Sequence, residues 1–140
     1  MKYWLLKTEP KDWSWKDQLN SKNQNVEWNG VRNHQASNTL KKMKKNDLCF
    51  FYHTGKEKRI VGIVKVVKEY FKDKSDKTNK FVSVIVHAED KLTKPVTLKE
   101  IKNNELFKES ALVKQNRLSV MKIDIKHWKK ICKIGKMNKY

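Results

Sequence analysis

Ile60-Val61-Gly62-Ile63-Val64-Lys65-Val66-Val67 is the stretch on which the fold turns. Six of its eight residues are β-branched, the side chains that fit extended backbone best. The run is too continuous for a strand with one wet face, so it is expected inside a sheet, covered on both sides. Gly62 interrupts it and signals a bulge or a close backbone approach. Upstream, Leu48 to His53 reads as an aromatic and apolar strand, and Thr54-Gly55-Lys56-Glu57-Lys58 as the turn between the two. Downstream, Phe81 to His87 reads as a third strand. The polar, lysine-rich Lys72 to Lys80 between them is expected to be a hairpin tip or a disordered loop.

Lys2 to Lys7 alternates as a short strand that Glu9-Pro10 stops, with Tyr3 and Leu5 on one face and Trp4 and Leu6 on the other. Ser14 with Asp17 three residues on marks a helix start, after which Trp15 and Leu19 share a face. Asn20 to Asn25 reads as loop. Ala36, Leu40 and Met43 form the apolar stripe of a helix over Asn33 to Lys44, and the lysines at its end suit the negative pole of its dipole. Thr97 and Glu100 form a capping box, Ser119 to Ile125 alternates as a strand, and Trp128, Ile131 and Cys132 lie on a last helix closed by Gly135. Five or so strands with short helices between them make an α+β chain, with an antiparallel or mixed sheet curled into a small barrel.

The chain has 140 residues, 38% hydrophobic and 34% charged, which suits one soluble domain over residues 1–140 with a core of its own. Four glycines, widely spaced, leave no G-x-G-x-x-G and no phosphate-binding loop before a Lys-Ser/Thr pair, so dinucleotide and P-loop chemistry are unexpected. Cys49 and Cys132 lack the paired spacing of a zinc site and are expected buried and reduced, as in a cytoplasmic protein. The histidines make no cluster, so neither a metal nor a cofactor is expected. No apolar run is long enough for a membrane span, and the opening residues are too quickly charged for a signal peptide. Lys+Arg 33 against Asp+Glu 15 gives +18, a field that attracts polyanions, nucleic acid first. Only Arg32, Arg59 and Arg117 are arginines; abundant lysine, asparagine and isoleucine also follow from AT-rich codons, so the charge has a second explanation.

Five blocks stand in order along the chain: Tyr3-Trp4-Leu5-Leu6-Lys7-Thr8-Glu9-Pro10, Trp28-Asn29-Gly30-Val31-Arg32-Asn33-His34-Gln35-Ala36, Phe51-Tyr52-His53, Ile60-Val61-Gly62, and Gln115-Asn116-Arg117-Leu118-Ser119-Val120. Together they resemble the EVE domain family of the PUA-like superfamily, over residues 3 to about 132. The family usually has Ser where Thr8 stands and Asp where Asn29 stands. Thr8 keeps the hydroxyl, and Asn29 loses the charge. The resemblance implies a PUA-like β-barrel with short flanking helices and a cleft that receives a nucleobase. It implies a non-catalytic reader of modified bases, 5-methylcytosine or its oxidised forms, in DNA or RNA. A general RNA-binding protein acting on tRNA or rRNA, or an enzyme that modifies nucleic acid, is the alternative. A monomer is expected, with nucleic acid as partner and no membrane.

A base taken from its stack needs aromatic faces and hydrogen bonds along its edge. The residues expected to bind it are Trp4, Thr8, Glu9, Trp28, Arg32, Asn33, Tyr52, His53, Arg117 and Ser119, gathered in one cleft. Each has a structural alternative. Trp28 and Trp4 are core residues or cleft walls, Trp15 and Trp128 core, and Asn33 a helix cap as well as a pocket residue. Thr8 offers its hydroxyl to a base edge or caps the helix after Pro10. Tyr52 and His53 point to opposite strand faces, so one of them is expected in the cleft. His53 lacks the nucleophile and orienting partner that a general base needs.

Overall fold

A computed structural model describes residues 1–140. Strands β1 (Tyr3–Thr8), β2 (Asn25–Trp28), β3 (Leu48–His53), β4 (Arg59–Lys72), β5 (Val82–Thr97) and β6 (Val120–Ile123) form one sheet in the order β2-β5-β4-β3-β1-β6. Only β1 and β3 run parallel; every other pairing is antiparallel. Five short helices flank it: α1 (Trp15–Asn20), α2 (His34–Leu40), α3 (Leu98–Lys102), α4 (Ala111–Lys114) and α5 (Ile125–Ile134).

The expected curled, mixed sheet is present, but it does not close into a barrel. The register of β4 against β5 shifts at four places, and each shift bends and twists the ribbon. Its edge strands, β2 and β6, do not pair, and α2 packs against both β5 and β6. β4 and β5 run further than the apolar pattern alone indicates. β2 lies in a stretch read partly as loop: Asn25 and Glu27 are exposed, and cross-strand pairs with β5, Trp28 with Val84 and Asn25 with His87, make it a strand.

All six residues of β3 are buried, because the sheet is covered on both sides. Within the curl, Phe51 takes the edges of Trp15 (5.2 Å, 74°) and Trp28 (5.5 Å, 80°). On the outer side, Phe50 stacks on Trp128 of α5 at 3.9 Å, and Tyr3 stacks on that indole at 4.5 Å. Burying such side chains stabilises the fold by roughly 1.5–3 kcal/mol each. Gly62 is both bulge and close approach: the register shifts beside it, and a Cβ there would meet Trp15 Cζ3 at 2.5 Å.

Local signals hold at the caps. Ser14 and Asp17 form the reciprocal box of α1, and Thr97 and Glu100 that of α3. Leu19 does not share the buried face of Trp15. It is exposed, and Gln18 is buried instead, accepting from Trp13 Nε1 (3.0 Å) and donating to the carbonyls of Gln24 (2.9 Å) and Val86 (3.3 Å). Helix α2 stops at Leu40 rather than Lys44, although Met43 stays buried. Both cysteines are free and buried, and burial pushes the Cys132 thiol up to about 12.

Residues 73–81 are an ordered hairpin tip built on two aspartates. Asp76 accepts from the amides of Thr78, Lys80 and Phe81 and from the Thr78 hydroxyl, which lowers its carboxyl well below the usual range. Asp73 turns the other way, toward the segment that follows β2.

Candidate nucleobase cleft

Where β1 and β2 end, the sheet's two edges come close without pairing, and a cleft of about 710 Å³ opens there. Thr8 closes β1 and Trp28 closes β2; Ser119 precedes β6 and receives the Lys7 amide on its carbonyl at 2.9 Å. Asn29 to Asn33 bridges from β2 to α2 along one wall.

Trp28 is 7% exposed, its ring packed on Phe51 and bordering the cleft, so it is a core and a wall residue at once. Trp13 borders the cleft from the turn after β1, its indole held by Gln18. The Thr8 hydroxyl donates to the Trp13 carbonyl at 2.8 Å, tying that turn to the strand end. Gly30 has φ +79°, in the region that favours glycine, with open space where a side chain would stand. Asn33 caps α2 by accepting from the Ala36 amide (2.9 Å) and also lines the cleft, so cap and wall are compatible.

Asp73 fixes the wall. One of its oxygens accepts from the Gly30 amide (2.8 Å) and from Arg32 (2.9 Å), the other from the Ser75 amide (2.8 Å) and hydroxyl (2.6 Å). Burial works to raise its carboxyl, but the bonds from Ser75, Gly30 and Arg32 outweigh it and hold the group at about 2. Arg32 also donates to the Ser75 hydroxyl at 3.0 Å and lies 5.4 Å from the Phe81 ring centre, which fixes the guanidinium plane. Lys7 reaches the rim from the other side. Its ammonium donates to the Asn116 carbonyl at 2.9 Å, and burial lowers it below the usual lysine range.

Of the residues expected in the cleft, the structure brings together Thr8, Trp28, Arg32, Asn33 and Ser119. Five lie elsewhere. Trp4 is core, 1% exposed, its indole donating to the buried Asp47 at 2.9 Å. Glu9 lies against Gly55 and accepts from the Lys11 amide. Tyr52 is buried beneath the Lys7 ammonium, and burial pushes its phenol up to about 12. His53 is buried with both ring nitrogens engaged, one by the Trp15 amide (3.0 Å) and one by Glu57 (2.9 Å). Arg117 is exposed and outside the lining. The either-or for Tyr52 and His53 therefore resolves to neither, because a strand covered on both sides gives no free face.

Sequence reasoning passed over Lys7, Asp12, Val26, Glu27, Asn29 and Val31 as cleft residues, and assigned Trp13 no place in the cleft. Position was the available signal, since Lys7 adjoins Thr8, Trp13 lies in the turn just after it, and Asn29 to Val31 lie between Trp28 and Arg32. Nothing local marked Asp73, whose role rests on partners more than 40 residues away.

Comparison with known proteins agrees with this architecture. The model of the EVE domain matches residues 2–134. Thymocyte nuclear protein 1 of Gallus gallus is 46% identical over 81 residues, 51% of this chain and 34% of that protein. The chain thus spans about a third of the length of that curated relative. Rpa0253 of Rhodopseudomonas palustris is 38% identical, with a TM-score of 0.92 over 100% of this chain and 97% of its own. Human THYN1, solved in complex with 5-methylcytosine-containing DNA, is 28% identical with a TM-score of 0.89, covering 96% of this chain and 98% of that one. On the match across residues 2–134, the chain belongs to the EVE domain family.

Proposed function

We propose that this chain is a non-catalytic nucleic-acid-binding module whose cleft takes up a base withdrawn from its stack, with 5-methylcytosine or an oxidised form preferred. The observation that carries the reading is the meeting, in one cleft, of two tryptophans with Arg32, Asn29, Asn33 and the Thr8 hydroxyl. Its volume of about 710 Å³ lies within the range of sites for small planar ligands. The resemblance to a human chain solved with 5-methylcytosine-containing DNA supports the choice of base.

The chemistry suits a pyrimidine. Trp28 and Trp13 supply flat faces for stacking, worth roughly 1–3 kcal/mol per base. An asparagine amide carries both a donor and an acceptor, as a cytosine edge requires. Val26 and Val31 offer apolar contact to a methyl group. Burying one methyl contributes roughly 0.8 kcal/mol, so the expected preference for 5-methylcytosine over cytosine is roughly fourfold. His53, with both ring nitrogens engaged and outside the cleft, favours binding over acid–base catalysis.

The test is a titration of matched oligonucleotides, with cytosine or 5-methylcytosine, as DNA and as RNA, at one fixed salt concentration. Tighter binding of the methylated strand, lost in Trp28→Ala, is the expected result. Equal affinity for both would favour a general RNA- or DNA-binding role, and indifference to Trp28→Ala would place the base elsewhere.

A further inference from the structure

We infer that the β4–β5 hairpin tip is the surface that grips the phosphate backbone of the nucleic acid beside the cleft. This rests on the nucleic-acid part of the reading above and not on its preference for a modified base. The tip and the last residue of β4 carry Lys72, Lys74, Lys77 and Lys80, all exposed, and none of them forms an ion pair. Its own acids do not face outward to neutralise them. Asp76 is turned in on the amides of the turn, and Asp73 is spent on Gly30 and Arg32. Four lysines without ion-pair partners therefore stand on a short, ordered ribbon.

Placement gives this charge a direction. Through Asp73 and Ser75 the tip is bonded to Gly30 and Arg32, both cleft residues, so the ribbon that carries the lysines is tethered to the cleft wall. Phe81, at the base of the tip, carries the Arg32 guanidinium on one side and pairs with the His34 ring at 4.9 Å. A strand that lodges a base in the cleft must carry its neighbouring phosphates across the rim. Lysine ammoniums suit that contact, since they act on phosphate as mobile point charges without reading sequence. The same feature separates a directed surface from lysine spread by composition: the hairpin set should matter far more than an equal charge elsewhere.

The experiment compares two charge-removal sets in the full chain. One combines Lys72→Gln, Lys74→Gln, Lys77→Gln and Lys80→Gln. The other combines Lys122→Gln, Lys126→Gln, Lys129→Gln and Lys133→Gln on β6 and α5, which are exposed, unpaired and absent from the cleft lining. Affinity for a fluorescein-labelled duplex, methylated or unmethylated, is measured across a salt series. Counterion release gives log K a slope of roughly −0.9 per phosphate contacted on duplex DNA, so the hairpin set of four lysines should flatten the slope by roughly 3.6 while the second set shifts it by less than about 1. An unchanged slope in the hairpin set, or equal flattening in both sets, overturns the inference. If the wild-type chain binds both duplexes equally while the hairpin set still flattens the slope, the modified-base preference fails and the grip stands. Should the fourfold variant lose its near-ultraviolet circular dichroism, the Lys74→Gln and Lys77→Gln pair replaces it, with half the flattening expected and the same outcomes decisive.

Discussion

Asp73 and Arg32, 41 positions apart, are joined at 2.9 Å by a carboxylate that also holds the Gly30 amide. The Asp73 side chain is 1% exposed and that of Arg32 41%, so the acid is a buried anchor and the guanidinium keeps a free edge toward solvent. Two cleft residues thus take their positions from a hairpin tip that does not line the cleft.

Replacing Asp73 tests that anchor. Its carboxyl sits at about 2 in the folded chain, below its ordinary value of about 3.9, so the unfolded chain takes up the proton first on acidification. The stabilisation is complete above about pH 4 and is lost as pH falls through about 2. Asp73→Asn is expected to cost about 1–2 kcal/mol at neutral pH, a figure reduced for the exposure of Arg32. Urea unfolding across pH should show the gap between wild type and variant closing between about pH 4 and 2.

Gly62→Ala is expected to destabilise by roughly 1–3 kcal/mol, because the new methyl meets the Trp15 ring and both sit in a packed core. Denaturant melts with tryptophan fluorescence would read the loss. A neutral result would show that Trp15 moves off the strand freely.

Two tryptophans should separate stability from binding. Trp4→Phe leaves Asp47 short of a buried hydrogen bond and should lower stability by roughly 1–3 kcal/mol without altering base preference. Trp28→Ala should lower stability too, but also weaken oligonucleotide binding by the roughly 1–3 kcal/mol of a lost stack. Anisotropy titrations on both folded variants distinguish them, and a binding loss in Trp4→Phe equal to that in Trp28→Ala would contradict the placement of the cleft.

Arg117→Ala should leave the ratio of methylated to unmethylated affinity unchanged, since Arg117 lies outside the cleft lining. At most it should reduce the salt slope by about 1, the share of a single phosphate contact. A change in base preference would bring Arg117 into the reading of the base.

Short-range chemistry was legible along the chain. The β-branched run around Gly62, the capping boxes at Ser14 and Thr97, and the Asn33 cap each depend on neighbours within a few residues, and the structure carries all of them. The resemblance of five blocks also pointed to Thr8, Trp28, Arg32, Asn33 and Ser119, which meet in the cleft. Tertiary structure alone decided the rest. His53 and Tyr52 left the candidate site because α5 and α1 cover both faces of β3, and coverage is set by distant elements. Asn25 to Trp28 became a strand by pairing with β5, not by its own composition. Asp73 stands in a run of lysines and polar residues that reads as solvated tip. It became the anchor of the cleft because the curled β4–β5 ribbon brings its carboxylate within 3 Å of two donors that sequence distance conceals.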